Sequence, residues 1–368
     1  MALQVCVRST GVAAGRCECM GRKSGRALSF STYCMVVLIT GLTLFLTGTV
    51  AIAGGGEDAF EKYMSAGKNC FDRGDLSGAL NRVKAAEAEA RTLADAGKGD
   101  GPLLESLTVL VMLCKTGSRF EDAEKYAREV VLLTCRGSGD NEVKAFAVND
   151  LATVLKRAGK YSESAAAYRQ ALLVLGPQGK ESIAAATLHD NLGIVLQIQK
   201  LWQEAFAEHE IAYKIYSRLA GPGAPDTYLC QGNMGQALFG LGEFAQAEVL
   251  MKEALAGVEQ HEGKDSIGAA TFCDNLAVLY CRQGEPAKAE SMQVRALGIY
   301  TRKVGRENPD ALICMGNLAL TYERQGKLKE ARKTAGEAFE IAVKVLGEAH
   351  PVTERLRNIL SGLATPAP

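Results

Sequence analysis

The sequence predicts an all-α fold, a solenoid in which antiparallel helix pairs stack one upon another. First, a motif of Asn, then Leu or Met, then a small residue recurs every 42 residues, beginning at Asn191, Asn233, Asn275 and Asn317. Second, each period reads as two apolar-periodic stretches separated by a short turn. A fixed period of about 20–50 residues is typical of repeat architectures, in which a single unit cannot bury its apolar face alone.

The last complete period shows the two helices most clearly. Residues 310–325 carry apolar side chains at helical spacing, which predicts the first helix. Gly326 then predicts a turn, and residues 328–346 resume the helical spacing. Gly347 and Pro351 end the second helix, because glycine closes helices and proline cannot continue them.

Two sets of small residues return with the same period. The turn glycine recurs at Gly242, Gly284 and Gly326. The first small residue of the second helix recurs at Ala205, Ala247, Ala289 and Ala331. Helices approach each other to about 8–10 Å only where the contact residues are small. The pattern therefore predicts that each second helix lies close against its neighbours.

The chain divides into a leader, a repeat array and a short C-terminal part. We assign residues 1–53 to the leader and residues 58–351 to the array. After the array, residues 352–363 predict one capping helix with a polar face, and residues 364–368 a disordered tail. The array holds about seven repeats, at residues 58–95, 103–137, 143–178, 184–220, 226–262, 268–304 and 310–346.

The repeat resembles the tetratricopeptide repeat (TPR). The residues that carry this resemblance are Leu318-Ala319, Tyr322, Gly326, Ala331 and Ala338. The usual unit has about 34 residues, whereas the period of 42 here is similar to that of kinesin light chains. The resemblance implies a right-handed superhelix, strongly over residues 143–350 and more weakly towards the N-terminus.

The leader has the order of parts that a secretory signal peptide has. Residues 1–33 are positively charged, residues 35–47 are apolar, and Ala51 and Ala53 form an A-x-A cleavage site before three glycines. This order predicts export and cleavage after Ala53. The alternative is a signal anchor, because residues 34–53 are long enough to span a bilayer.

Both interpretations place the repeats on the same side of the membrane. Positive charge before the apolar run and acidic residues after it keep the N-terminus cytoplasmic. The expected location is therefore extracytoplasmic: periplasmic, secreted, or anchored and facing outward. A mitochondrial presequence followed by an inner-membrane helix is a further alternative.

The ligand groove is inferred from the resemblance. In the TPR family, residues just before the Leu-small pair of the first helix face the concave surface. The corresponding residues here are Asp150, Asp190, Asn191, Asn233, Asp274, Asn275 and Asn317, and Gln236 lies one turn further on. A ladder of amides could hydrogen-bond an extended peptide without selecting its sequence. The alternative is that each Asn braces the adjacent helix.

The composition and the motifs favour a binding protein over an enzyme. Apolar residues make up 47% of the 368, the formal net charge is zero, and no basic stripe for nucleic acid is evident. Phosphate-loop, nucleophile-elbow and zinc-protease motifs are absent from the sequence, so neither a cofactor nor a metal is expected. The sequence predicts a non-catalytic scaffold or adaptor for a protein or peptide; the alternative is a structural assembly factor that self-associates or packs on a membrane complex.

Overall fold

The computed structural model describes residues 57–136 and 140–364. All regular structure in these residues is helical, which confirms the predicted fold class. The predictions for the leader and for residues 365–368 concern residues outside the described part. The helices are α1 Glu57–Asp72, α2 Leu76–Asp95, α3 Gly101–Thr116, α4 Phe120–Arg136, α5 Asn141–Arg157, α6 Tyr161–Gly179, α7 Ile183–Ile198, α8 Trp202–Leu219, α9 Pro225–Leu241, α10 Phe244–His261, α11 Ile267–Gln283, α12 Pro286–Lys303, α13 Pro309–Arg324, α14 Leu328–Leu346 and α15 Pro351–Ala364.

The chain forms two compact units, and the division falls between α7 and α8. The N-terminal unit contains α1–α7, and the C-terminal unit contains α8–α15. Within each unit, every helix packs against the next helix along the chain. Because the connections are short, consecutive helices run antiparallel. We refer to α1, α3, α5, α7, α9, α11 and α13 as first helices and to their successors up to α14 as second helices.

The turn within each pair depends on a left-handed residue. Gly242, Gly284 and Gly326 have φ values of 86°, 81° and 75°, a conformation that glycine adopts without a steric penalty. Lys200 takes the same position after α7 and has a φ of 62°. The turn geometry is therefore kept even where the glycine is missing.

The helix starts follow from local sequence. Asp75, Ser182 and Ser266 cap α2, α7 and α11 by accepting a hydrogen bond from a main-chain N–H of the first turn. Proline begins α9, α12 and α13, where its missing N–H is not needed. These signals fix where each helix begins and therefore which of its residues lie on its apolar face.

The small residues of the second helices form the closest contacts of the core. Ala205, Ala247, Ala289 and Ala331 are completely buried on α8, α10, α12 and α14. So are the next members of the frame, which include Ala254, Ala296 and Ala338. A methyl group at these points leaves no room for a longer side chain.

We expect Ala296→Leu to lower the free energy of unfolding of the C-terminal unit by about 2 kcal/mol, because overpacking forces helices apart or side chains off their rotamers. The fluorescence of Trp202, the one tryptophan of the chain, followed during a urea titration, measures this loss. Ala287 is exposed on the same helix, so Ala287→Leu is the matched control and should change little. Equal losses in the two variants would contradict the close-packing argument.

Candidate functional site

The predicted groove residues all lie on first helices, but their exposure differs between the units. Asp150 on α5 and Asp190 and Asn191 on α7 are half-buried. In the C-terminal unit Asn233 is half-buried, whereas the remaining four are buried. These four are Gln236 on α9, Asp274 and Asn275 on α11, and Asn317 on α13.

Side-chain contacts join α3, α5 and α7, three first helices of the N-terminal unit. We call the polar residues on this side of the helices the α5–α7 cluster: Lys115, Asn149, Asp150, Lys156, Asp190 and Asn191. Lys115 Nζ lies 3.8 Å from Asp150 Oδ1, so α3 is paired with α5. Asn191 Nδ2 donates to Asn149 Oδ1 at 3.4 Å, so α7 is paired with α5. The cluster thus runs across three consecutive first helices.

Lys156 is the least exposed charge of this cluster. Its side chain is 8% exposed, and neither an ion pair nor a hydrogen bond of its Nζ occurs among the described residues. Desolvation lowers the pKa of Lys156 to about 8, against an opposing attraction by Asp190. Because desolvation disfavours the charged ammonium, this side chain lowers the stability of the fold.

The neighbouring packing holds α5 rigidly in place. Ser164 Oγ on α6 donates to Ala152 O at 2.7 Å, and Thr153 Oγ1 lies 3.1 Å from the hydroxyl of Tyr168. Burial raises the pKa of Tyr168, so this phenol stays neutral. Because both contacts join the end of α5 to the start of α6, they fix the side of α5 that carries the cluster.

The buried polar residues of the C-terminal unit form a second group, the α11–α15 cluster: Asp274, Gln293, Asn317, Thr321 and Arg355. Asn317 Nδ2 donates to Asp274 Oδ2 at 2.9 Å. Asn317 Oδ1 accepts from Arg355 Nη2 at 2.6 Å. Thr321 Oγ1 donates to Gln293 Oε1 at 2.7 Å. The amide of Asn317 therefore bridges a carboxylate on α11 and a guanidinium on α15.

Asp274 is the charged centre of this cluster. It is 2% exposed, and burial raises its pKa to about 6, although the amide of Asn317 and the charge of Arg355 oppose that rise. Asp274 Oδ1 and Gln293 Nε2 are buried without a hydrogen-bond partner. At Asn317, this geometry corresponds to the bracing role that the sequence left as the alternative to groove contact.

Sequence reasoning did not single out Lys115, Lys156, Gln293 or Arg355. A signal was available for the two lysines, which are 41 residues apart at the same place in the repeat. Arg355 lies beyond the last repeat, on α15, and Gln293 lies on a second helix. Neither is marked by the first-helix motif.

The thiols of the array are packing groups. Five of the seven free cysteines in the described residues are buried. Burial raises the pKa of Cys273 to about 11 and also raises the pKa of Cys114 and of Cys281. Because the thiolate is the reactive form, these three side chains are held in their inert state.

The repeat pattern also matches a known family. The sequence model of the tetratricopeptide repeat matches residues 183–260 and 269–344.

These two stretches match the tetratricopeptide repeat family.

This confirms the predicted family, and no curated protein matches the sequence. A TPR protein from Parabacteroides merdae is similar in structure, with a TM-score of 0.60 at 11% identity, over 84% of this chain and 100% of that one. The apo quorum sensor NprR from B. thuringiensis gives 0.55 at 13% identity, over 83% and 79%. Kinesin light chain TPR-like repeats of Podosopora anserina give 0.48 at 17% identity, over 56% and 99%. At these identities the likeness shows the fold alone.

In the part of the chain that the structure describes, no helix combines the length and the apolar character needed to cross a membrane. Residues 34–53, which the sequence predicts as a signal peptide or an anchor, precede that part.

Proposed function

We propose that this chain is a non-catalytic scaffold or adaptor that binds a peptide or protein segment on the face formed by its first helices. We further propose that it acts outside the cytoplasm, either exported or held in a membrane by residues 34–53. TPR arrays of this kind serve as interaction modules, which supports the general role. The bound segment and the location are our inference.

The α5–α7 cluster is the observation that carries the proposal. Asp150, Asp190 and Asn191 keep part of their surface exposed, while the alanines of the second helices are used in packing. An amide side chain offers one acceptor and two donors, which suits the main chain of an extended segment. Polar groups on consecutive first helices would contact successive residues of such a segment.

Affinity capture from the native envelope fraction tests the role of the half-buried amides. We expect Asn191→Ala combined with Asn233→Ala to reduce capture of the bound protein at least tenfold, because each lost hydrogen bond contributes about 1 kcal/mol. Gln170 and Gln246 are exposed on second helices, so Gln170→Ala with Gln246→Ala is the matched control. The melting temperature should stay within a few degrees in both variants.

Two results would count against the adaptor. Unchanged capture by the Asn191→Ala/Asn233→Ala variant would remove the first-helix face from the interaction. A stable homo-oligomer in light scattering, with no other protein captured, would favour the assembly factor instead. N-terminal sequencing of the mature protein separates export from tethering: a chain that begins at Gly54 is cleaved and exported, whereas an intact leader is an anchor.

A further inference from the structure

The N-terminal unit has one edge at which the chain enters the fold. The contacts of Ser164 with Ala152 and of Thr153 with Tyr168 place the end of α5 beside the start of α6. The start of α5 and the end of α6 therefore lie together at the opposite edge. The same antiparallel pairing brings the starts of α1 and α3 and the ends of α2 and α4 there. We call this the leader edge, because α1 begins there at Glu57.

Exposed aliphatic side chains gather at the leader edge. Leu173 near the end of α6 is 80% exposed, Leu132 near the end of α4 is 51% exposed, and Val143 in the first turn of α5 is 52% exposed. Leu132 and Leu173 are 41 residues apart, at the same place in the repeat. They therefore occupy equivalent positions on successive second helices, α4 and α6.

The repeat itself does not require these leucines. The same position in the other second helices holds a charged or small residue: Ala88, Lys214, Ala256, Gly298 and Glu340. An aliphatic side chain with half or more of its surface in water gains only part of the stabilisation that full burial would give. A cluster of such side chains at one edge marks an interaction surface.

The charges around the leader edge are acidic in sum. Four basic residues, Lys98, Arg136, Lys144 and Lys180, stand against seven acidic residues, Glu57, Asp58, Asp95, Asp100, Asp140, Glu142 and Glu181. This balance gives an acidic partner no attraction. The aliphatic side chains are thus the distinguishing chemistry of the edge.

The position of the leader decides which apolar partner fits. Only residues 54–56 separate the segment 34–53 from the start of α1, and three extended residues span about 10 Å. If that segment is held in a bilayer, the leader edge begins within that distance of the lipid. Tethering of this kind raises the effective concentration to about the millimolar range, so a weak apolar contact is enough for docking.

We propose that the leader edge docks on the surface of a lipid bilayer through Leu132, Val143 and Leu173. This inference rests on the membrane-tethered form of the proposed function. The acidic excess of the rim gives anionic lipid no advantage, so docking depends on the apolar side chains and zwitterionic lipid is sufficient. The first-helix face of the array then remains open to the protein partner.

Photo-crosslinking to lipid tests the proposal on the full chain. The chain is reconstituted in phosphatidylcholine vesicles that contain a photoactivatable phosphatidylcholine, and the crosslinked peptides are identified by mass spectrometry. We expect crosslinks in α4 and α6 that fall at least tenfold in Leu132→Ser/Leu173→Ser. Val249 and Val294 are 55% and 51% exposed in the C-terminal unit, so Val249→Ser/Val294→Ser is the matched control and should keep the crosslinks.

Each outcome decides a separate claim. Crosslinks in the leader but none in α4 or α6 overturn the docking surface and leave the tether in place. Crosslinks in α4 and α6 of a chain that has lost its leader remove the tether and overturn the tethered docking that we propose. Equal loss in both serine variants, or no crosslinks at all, overturns the proposal. Capture of the protein partner by the first helices is measured independently and distinguishes failure here from failure of the adaptor function.

Discussion

Replacing Asn317 by alanine is expected to lower the free energy of unfolding of the C-terminal unit by about 3 kcal/mol. The side chain is completely buried, and one amide serves two charged groups. Its Nδ2 supports the Asp274 carboxylate at 2.9 Å, and its Oδ1 receives Arg355 Nη2 at 2.6 Å. Alanine removes both bonds and leaves a buried carboxylate without its donor, which costs more than the bonds themselves contribute.

The same substitution at Asn191 is the control for this effect. Asn191 stands at the equivalent place in the repeat but is half-buried, and its bond to Asn149 is long, at 3.4 Å. Asn191→Ala should therefore cost less than about 1 kcal/mol. A urea titration followed by Trp202 fluorescence measures the cost of Asn317→Ala in the C-terminal unit. Amide hydrogen exchange of α7 measures the cost of Asn191→Ala in the N-terminal unit. Similar costs at the two positions would show that burial does not separate their roles.

This pair of variants also divides the ladder of asparagines by role. At Asn317 the amide is hydrogen-bonded to both Asp274 and Arg355, so it holds three helices together. At Asn191 the amide keeps exposed surface on a first helix, so it is available to a bound segment. The same repeat position thus serves stability at Asn317 and, by our proposal, recognition at Asn191.

The helix pairs and their turns could be predicted because the signals that specify them are local. A glycine such as Gly242 is required by the left-handed turn, and an alanine such as Ala289 by a close helix contact. Both requirements recur in each repeat, so the glycine and the alanine appear in the sequence as a periodic pattern. The fold class followed from these residues without any knowledge of the long-range contacts.

The chemistry of the candidate site could not be predicted in the same way. The motif places Asp274 and Asp150 on first helices but does not say that one is buried and the other half-exposed. That difference depends on which side chains of neighbouring helices cover each position. Arg355 reaches Asn317 from a helix outside the repeat period, so no periodic signal could connect them.

Lys156→Met is expected to raise the free energy of unfolding of the N-terminal unit by about 3 kcal/mol at neutral pH. The pKa of Lys156 falls from 10.5 to about 8 on folding, chiefly through desolvation, and one pKa unit corresponds to about 1.4 kcal/mol. Methionine has a similar length and no charge to desolvate. Replacing a poorly compensated buried charge by an apolar side chain is often stabilising.

The lowered pKa of Lys156 also predicts how the stability gain of Lys156→Met depends on pH. Between pH 8 and pH 10.5 the unfolded chain binds the lysine proton and the folded chain has released it. The stability of the wild type therefore rises with pH across this window. The penalty is complete below pH 8 and absent above pH 10.5, so the advantage of Lys156→Met should shrink and disappear as the pH increases. Urea titrations followed by far-UV circular dichroism at a series of pH values measure the difference.

Lys62→Met is the control, because Lys62 is exposed on α1 of the same unit and its replacement should change stability by less than about 0.5 kcal/mol. A Lys156→Met variant that is less stable than the wild type at neutral pH would mean that the ammonium is well compensated.

If the predicted gain is found, the fold retains a lysine that weakens it. A residue kept at such a cost to stability is expected where function requires it, and Lys156 lies on the face that we propose for the bound segment.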